Sequence, residues 1–212
     1  AMSVVAGIGS ARSVQNHLLA ASKAAGGGGA DLVSLMEQYH HQVKGSSNAG
    51  NTYKMLTSAS QEMQDALSGA IVESADNATR VGRLFSSSKQ GTHLSGFMGG
   101  MREGSANAHF SEILDKVGSK ALAAANTGGR AGHKAQMSGM MNLYAAMGDQ
   151  MTDEQKGQVV GTMQSLSKGG TKNNDVLNEV MGAGEKTFSG QEQSNIQDLK
   201  QRLGIEGVKN KN

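Results

Sequence analysis

The sequence predicts an all-α protein, a bundle of about six to eight short helices with glycine-rich connections, and three observations carry that prediction. Apolar residues return every three or four positions wherever a pattern is readable, and no stretch shows the strict alternation of a half-buried strand. The 212 residues contain no proline, where average usage of about 5% would supply roughly ten, so no rigid breaker interrupts a helix. Thirty glycines, several of them adjacent, supply the interruptions instead.

The first helix is expected over residues 10–25 and stops at the four glycines 26–29, a break that no helix crosses without cost. Residues 1–29 are expected as a mobile or loosely attached arm and residues 30–212 as the bundle, with a sub-boundary near 126–133. The first thirty residues carry Arg12, Lys23 and no acid. They lack the continuous apolar run of a secretory signal and have the composition of an uncleaved export or transit-type segment.

Asp31 is expected to cap a second helix with Leu32, Leu35, Met36, Tyr39 and Val43 on one face. Asn51 or Thr52 opens a longer one, with Leu56, Ala59, Met63, Ala66, Leu67, Ala70 and Ile71 on its stripe, the candidate for the centre of the bundle. Asp76 restarts the chain, directing Val81, Leu84 and Phe85 inward with Arg80 and Arg83 beside them. Residues 86–108 read as a long glycine-rich loop, anchored by Phe97, Met98 and Met101; loops of this length inside a compact domain are commonly functional or disordered.

Phe110, Ile113, Leu114, Val117 and Leu122 resume the helical spacing, and Gly128 and Gly129 stop it. A methionine-rich helix comes next, with Met137, Met140, Met141, Tyr144 and Met151 at i, i+3, i+4, i+7 and i+14 and Met147 near the same stripe. Thioethers fill irregular cores and also serve surfaces that accept several shapes. Because aromatics are only 3% of the chain, Met, Leu and Ala must fill the core, which favours packing; a seam partly held for a partner is the other reading. Further on, Thr152 with Gln155 and Ser189 with Glu192 fit the capping box. Behind them lie Val159, Val160, Met163 and Leu166, then Ile196, Leu199 and Leu203, with Gly204 and Ile205 placed for a Schellman stop. The 37-residue offset between the two boxes hints at a repeated helical hairpin.

Composition narrows function by exclusion. No cysteine is present, so disulfides and thiolate metal sites are out. Tryptophan is absent and aromatics are few, which removes the stacking platforms used for sugars and single-stranded nucleic acid; no nucleic-acid partner is expected. No run reaches the roughly 18 apolar residues of a membrane-spanning helix, so no transmembrane segment is expected. The net charge of +2 is unevenly spread. Residues 80–134 hold eight basic residues (Arg80, Arg83, Lys89, Arg102, Lys116, Lys120, Arg130, Lys134) against three acidic ones (Glu103, Glu112, Asp115), a surplus of +5 that leaves −3 elsewhere. That segment is expected to form a solvated basic face or to meet an acidic-surfaced protein partner.

Catalytic and metal chemistry find little support. His40 and His41 diverge by about 100° on a helix and cannot share a metal as an i, i+4 pair would. His17, His93, His109 and His133 have no ligand spacing, and no metal or cofactor is expected. A glycine-rich phosphate cradle needs a strand before it, so residues 26–29 read as a linker. No Gly-x-Ser-x-Gly elbow occurs.

Two short stretches resemble known families. Ile71, Val72, Glu73 and Ser74, followed by Asn77, Ala78 and Gly82, with Asn142, Leu143, Tyr144 and Ala145 later, resemble elements of lytic transglycosylases. That resemblance implies a peptidoglycan-cleaving enzyme with Glu73 as its single acid, in a groove that raises the carboxyl pKa. Residues 171–176, with Gly182, Ala183, Gly184 and Phe188, resemble the catalytic-loop region of SopE-type bacterial effectors, all-helical exchange factors for Rho-family GTPases, with Glu185 in place of the fourth loop residue. That resemblance implies that Gly182, Ala183 and Gly184 contact the GTPase; the plainer reading makes Gly182 and Gly184 the stop of a helix over 175–181. In composition the whole chain resembles bacterial exported interaction proteins, such as type III secretion effectors and translocated components, and phage virion proteins. The leading expectation is a non-catalytic protein-binding module, secreted or translocated by a bacterium, with Arg80, Arg83, Phe97, Met98, Met101 and Arg102 at its partner site. The alternative location is cytoplasmic or in a virion.

Overall fold

A computed structural model describes residues 11–43, 59–86, 105–168 and 173–205. They form α1 (Ala11–Ala24), α2 (Gly29–Val43), α3 (Gln61–Glu73), α4 (Ala75–Ser86), α5 (Ser105–Met147), a 3₁₀ turn (Gly148–Gln150), α6 (Asp153–Ser167), α7 (Asn173–Thr187) and α8 (Gly190–Arg202). The fold is all-α, with no strand among the described residues. Phe97, Met98, Met101, Arg102, Lys89, His93 and the expected helix start at Asn51 or Thr52 lie outside the described residues.

Helix α1 places Val14, Leu18 and Leu19 in the common apolar core, so residues 11–24 of the expected arm are packed against the bundle. The Gln15 side chain accepts from the Ser60 backbone N–H at 2.9 Å, and Lys23 meets Glu62 at 2.6 Å. The glycine break ends α1 in a Schellman arrangement: Gly27 N–H donates to Ser22 C=O at 2.8 Å and Gly26 N–H to Lys23 C=O at 3.3 Å, with Gly26 at φ 124°. Helix α2 begins at Gly29, two residues before the expected cap, and Asp31 sits in its first turn. There its charge favours the helix dipole.

The longer helix expected from Asn51 or Thr52 is corrected: Ala59 and Ser60 are not helical, and the Ser60 hydroxyl caps α3 by accepting from Met63 N–H at 3.3 Å. Ser74 closes α3, and its hydroxyl accepts from Asn77 N–H at 3.0 Å to open α4. The start of α4 is thus set by Ser74, ahead of Asp76.

Helix α5 is a hairpin written as one helix. Gly129 alone leaves the helical region, at φ 61° and ψ −149°. Gly82 and Phe85, one turn apart on α4, touch Ala146 and Phe110 respectively. Those two α5 residues are 36 positions apart, about 54 Å on a straight helix. The two arms must therefore run back along each other, and α3 confirms it by meeting Ile113 through Ser68 and Gly139 through Ile71.

The centre of the bundle is the second arm of α5, which corrects the expectation that the helix ending at Ile71 would hold that place. Met137, Met140, Met141, Leu143, Tyr144, Ala145, Ala146 and Met147 are all buried. Helices α3, α4, α7 and α8 surround this arm, whereas α3 is apolar on one side only. Close approach depends on missing side chains: a Cβ on Gly82 would stand 2.6 Å from the Ala146 Cβ, and one on Gly184 2.5 Å from the Met141 sulfur. The methionine seam is core.

Candidate interaction surface

Arg80 projects from α4 toward α2. Its Nε donates to Glu37 at 2.9 Å, one Nη to Ser34 Oγ at 2.9 Å and the other to Asn77 Oδ1 at 3.3 Å, and a second Nη contact also reaches Glu37. With its side chain only 25% exposed, it clamps α2 to α4. Arg83, one turn on, is 60% exposed and lies 3.6 Å from Glu192 of α8.

Such pairing recurs among the described residues of the basic stretch. Lys116 meets Asp65 at 3.1 Å, and Arg130 and Lys134 both meet Glu179, at 3.1 and 2.6 Å. Hydrogen bonding to Lys134 holds the exposed Glu179 carboxyl below its ordinary range, helped by the charges of Lys134 and Arg130. The acids Glu37, Asp65, Glu179 and Glu192 all come from outside residues 80–134. The sequence segregates charge along the chain and the fold interleaves it, so five of the segment's basic residues meet the carboxylates that composition had assigned to the remainder.

Glu73 is the last residue of α3 and is exposed. Gly182, Ala183 and Gly184 lie inside α7, which runs on to Thr187, so the expected stop at Gly182 is corrected. The helix continues because Gly184 fits under Met141 and Ile196, and that packing outweighs the weak helical propensity of glycine. His40 and His41 occupy the last turn of α2, and His133 Nδ1 pairs with the Gly129 carbonyl at 2.8 Å. Among the described residues no group of three or more His, Asp or Glu could hold a metal ion, and no helix is long and apolar enough to cross a membrane.

The C-terminal end of the methionine arm carries a polar network that no sequence motif marks. The Tyr144 hydroxyl donates to Asp198 of α8, which also accepts from Arg202 Nε at 3.2 Å and lies 3.4 Å from Lys156. Burial, then the bond to Asp198, pushes the Tyr144 phenol well above its ordinary pKa. Burial pushes the Asp198 carboxyl up, but the bond from Tyr144 and the charges of Lys156 and Arg202 outweigh it and hold it below its ordinary value. Asn195 donates to the Ala145 carbonyl at 2.8 Å and to Asp149 at 2.9 Å. Lys200, almost fully buried, pairs with Glu185. The only textual trace of this network is polar residues on the apolar stripe of α8, at Asn195 and Lys200. Its members bind one another across α5, α6, α7 and α8 and thus fix the register of these helices.

No protein-family model, curated protein or solved structure matches the chain.

Proposed function

We propose that the chain is a non-catalytic helical interaction module that captures an acidic-surfaced protein through Arg83 and the segment 87–104, shorter than the expected loop 86–108 because Ser86 belongs to α4 and residues 105–108 to α5. The observation that carries the reading is the ring contact between Phe85 and Phe110, with centroids 5.2 Å apart at 51°. It joins the residues that flank the segment, one at the end of α4 and one at the start of α5, so that its base is closed by buried aromatics. A segment of that length on a rigid base is a common way to present binding residues. Phe97, Met98, Met101 and Arg102 are the side chains that its sequence offers. Arg83 stands beside the base and is the more exposed of the two α4 arginines; Arg80 belongs to the clamp on α2 and is set apart from the binding set. Export by a bacterium, as an effector or secretion component, is supported by the composition shared with such proteins. Neither the exposed Glu73 nor the helical Gly182 and Gly184 favours a second reading.

A photo-crosslinking residue at Met98 tests the proposal in extracts of the producing cells and their host. A discrete protein adduct is expected, and the double charge reversal Arg83→Glu with Arg102→Glu should remove it while circular dichroism stays unchanged. No adduct, or one that survives the reversal, overturns the site.

A further inference from the structure

The bend at Gly129 is the one place where a 43-residue helix is interrupted, and it is interrupted by a single residue. Its φ 61°, ψ −149° conformation is open essentially to glycine alone. A Cβ on Gly128 or Gly129 would meet nothing within 4 Å, and residues 126–131 are exposed, so no packing holds the elbow bent from outside. The bend is held instead by contacts between residues on its N-terminal side and residues on its C-terminal side. Gly82 and Ala146 touch across it, as do Ile71 and Gly139, Gly118 and Thr162, and Asp115 and Gln158 at 2.9 Å. Asn142 Nδ2 also donates to the Ala75 carbonyl at 3.2 Å.

Rotation of Gly129 into the helical region would make residues 105–147 one straight helix and separate the two halves of the bundle. Neither half could then bury its face: Leu143 and Ala146 would lose Gly82 of α4, and Asp115 and Gly118 would lose Gln158 and Thr162 of α6. A second copy of the same chain restores every one of those contacts. The arms of α5 are antiparallel in one molecule, so two straightened helices can lie antiparallel across a two-fold axis beside Gly129, each arm packed on the other copy's complementary arm. We propose that the chain forms a two-fold domain-swapped dimer by straightening α5 at Gly129, with the bent monomer and the swapped dimer sharing the same core contacts. Association is therefore decided at the elbow and by concentration.

The test exploits the absence of native cysteine. Gly129→Ala strains the bend and favours the straight helix, and it should raise the dimer-to-monomer ratio after refolding from urea by about tenfold or more, read by light scattering on a sizing column. Inserting four Gly/Ser residues after Gly128 should relax the bend and lower the ratio below wild type. Separate chains carrying Asp115→Cys and Gln158→Cys, refolded together at high concentration and treated with a short bismaleimide, should give an interchain crosslink in the dimer fraction. A folded Gly129→Ala variant that stays monomeric overturns the proposal, as does a dimer without the interchain crosslink. Where Gly129→Ala does not fold, the same cysteine mixture on the wild-type elbow decides, and no interchain crosslink overturns it.

Discussion

The two arms of α5 share a chain segment, a secondary structure and one core, yet they are buried in different ways. In the first arm Phe110, Ile113, Leu114, Val117, Ala121 and Ala125 are buried on one face, and Ser119, Glu112 and Asp115 look outward. In the second arm nearly every residue from 136 to 147 is buried. Amphipathic spacing announces the first kind of helix. The second has no polar face to announce, because four other helices cover it, and its high methionine content reflects having to fit several neighbours at once. Substitution along the two arms should therefore obey different rules. Met140→Ala, at a position 2% exposed, is expected to cost about 2–5 kcal/mol in urea unfolding, whereas Ser119→Ala on the first arm should stay within about 0.5 kcal/mol. Equal costs would remove the distinction between the arms.

A smaller effect sharpens the comparison through glycine. A Cβ added at Gly82 would stand 2.6 Å from the Ala146 Cβ on the second arm, closer than real Cβ atoms come, and Ala146 has no rotamer with which to yield. Gly118 on the first arm faces only the Thr162 side chain, whose hydroxyl would stand 2.9 Å from an added Cβ and can turn away. Gly82→Ala should cost about 1–3 kcal/mol by overpacking, and the added change Ala146→Gly should recover part of that loss. Gly118→Ala should be close to neutral, since the gain in helix propensity offsets the displaced hydroxyl. A Gly82→Ala variant as stable as the parent would mean that α4 and α5 can slide apart freely.

The same contrast explains what could be read in the sequence. Helices whose apolar stripe alternates with solvent, such as that of Leu32, Met36, Tyr39 and Val43, were legible in type and face. So were the stops at glycines 26–29 and at Gly204, where Ile205 N–H reaches the Lys200 carbonyl at 3.2 Å as a Schellman motif requires. The Thr152 capping box formed as expected, with Gln155 reaching back to the cap. At Ser189 the same motif gives no side-chain cap bond, and Glu192 lies 3.6 Å from Arg83 of α4, a partner no local pattern can contain. Glycine as a helix stop is right at Gly129 and wrong at Gly182 and Gly184, because only the neighbouring Met141 makes a missing side chain at Gly184 an advantage. For the candidate site, the sequence supplied the cations; their carboxylates lie dozens of residues away and became visible only in the fold.

The smallest expected effect concerns the polar end of the second arm. Tyr144→Phe removes a hydrogen bond to an ionised carboxylate, but Asp198 keeps Arg202 and Lys156 and is about one-third exposed, so the loss at neutral pH should be only about 1 kcal/mol. Its pH dependence is more telling than its size. Asp198 has a folded pKa below the unfolded value of about 3.9, so its stabilisation is present above that pH and lost as pH falls through the lower folded value. Without the Tyr144 donor the carboxyl moves back up toward the unfolded value, so the Phe variant has less stability to lose in acid and its loss is complete at a higher pH than the parent's. Tyr144 itself has a folded pKa raised above about 10, so its contribution is complete below pH 10 and disappears as pH rises through the folded value. The Phe variant lacks that alkaline loss, and the two stabilities should converge above pH 10. Urea unfolding from pH 3 to 11 measures both ends, and two parallel curves would show that the phenol and the carboxylate are not coupled. The first arm offers the control: Lys116 and Asp65 form an ion pair whose acid is half exposed, and Lys116→Ala should cost little stability at neutral pH.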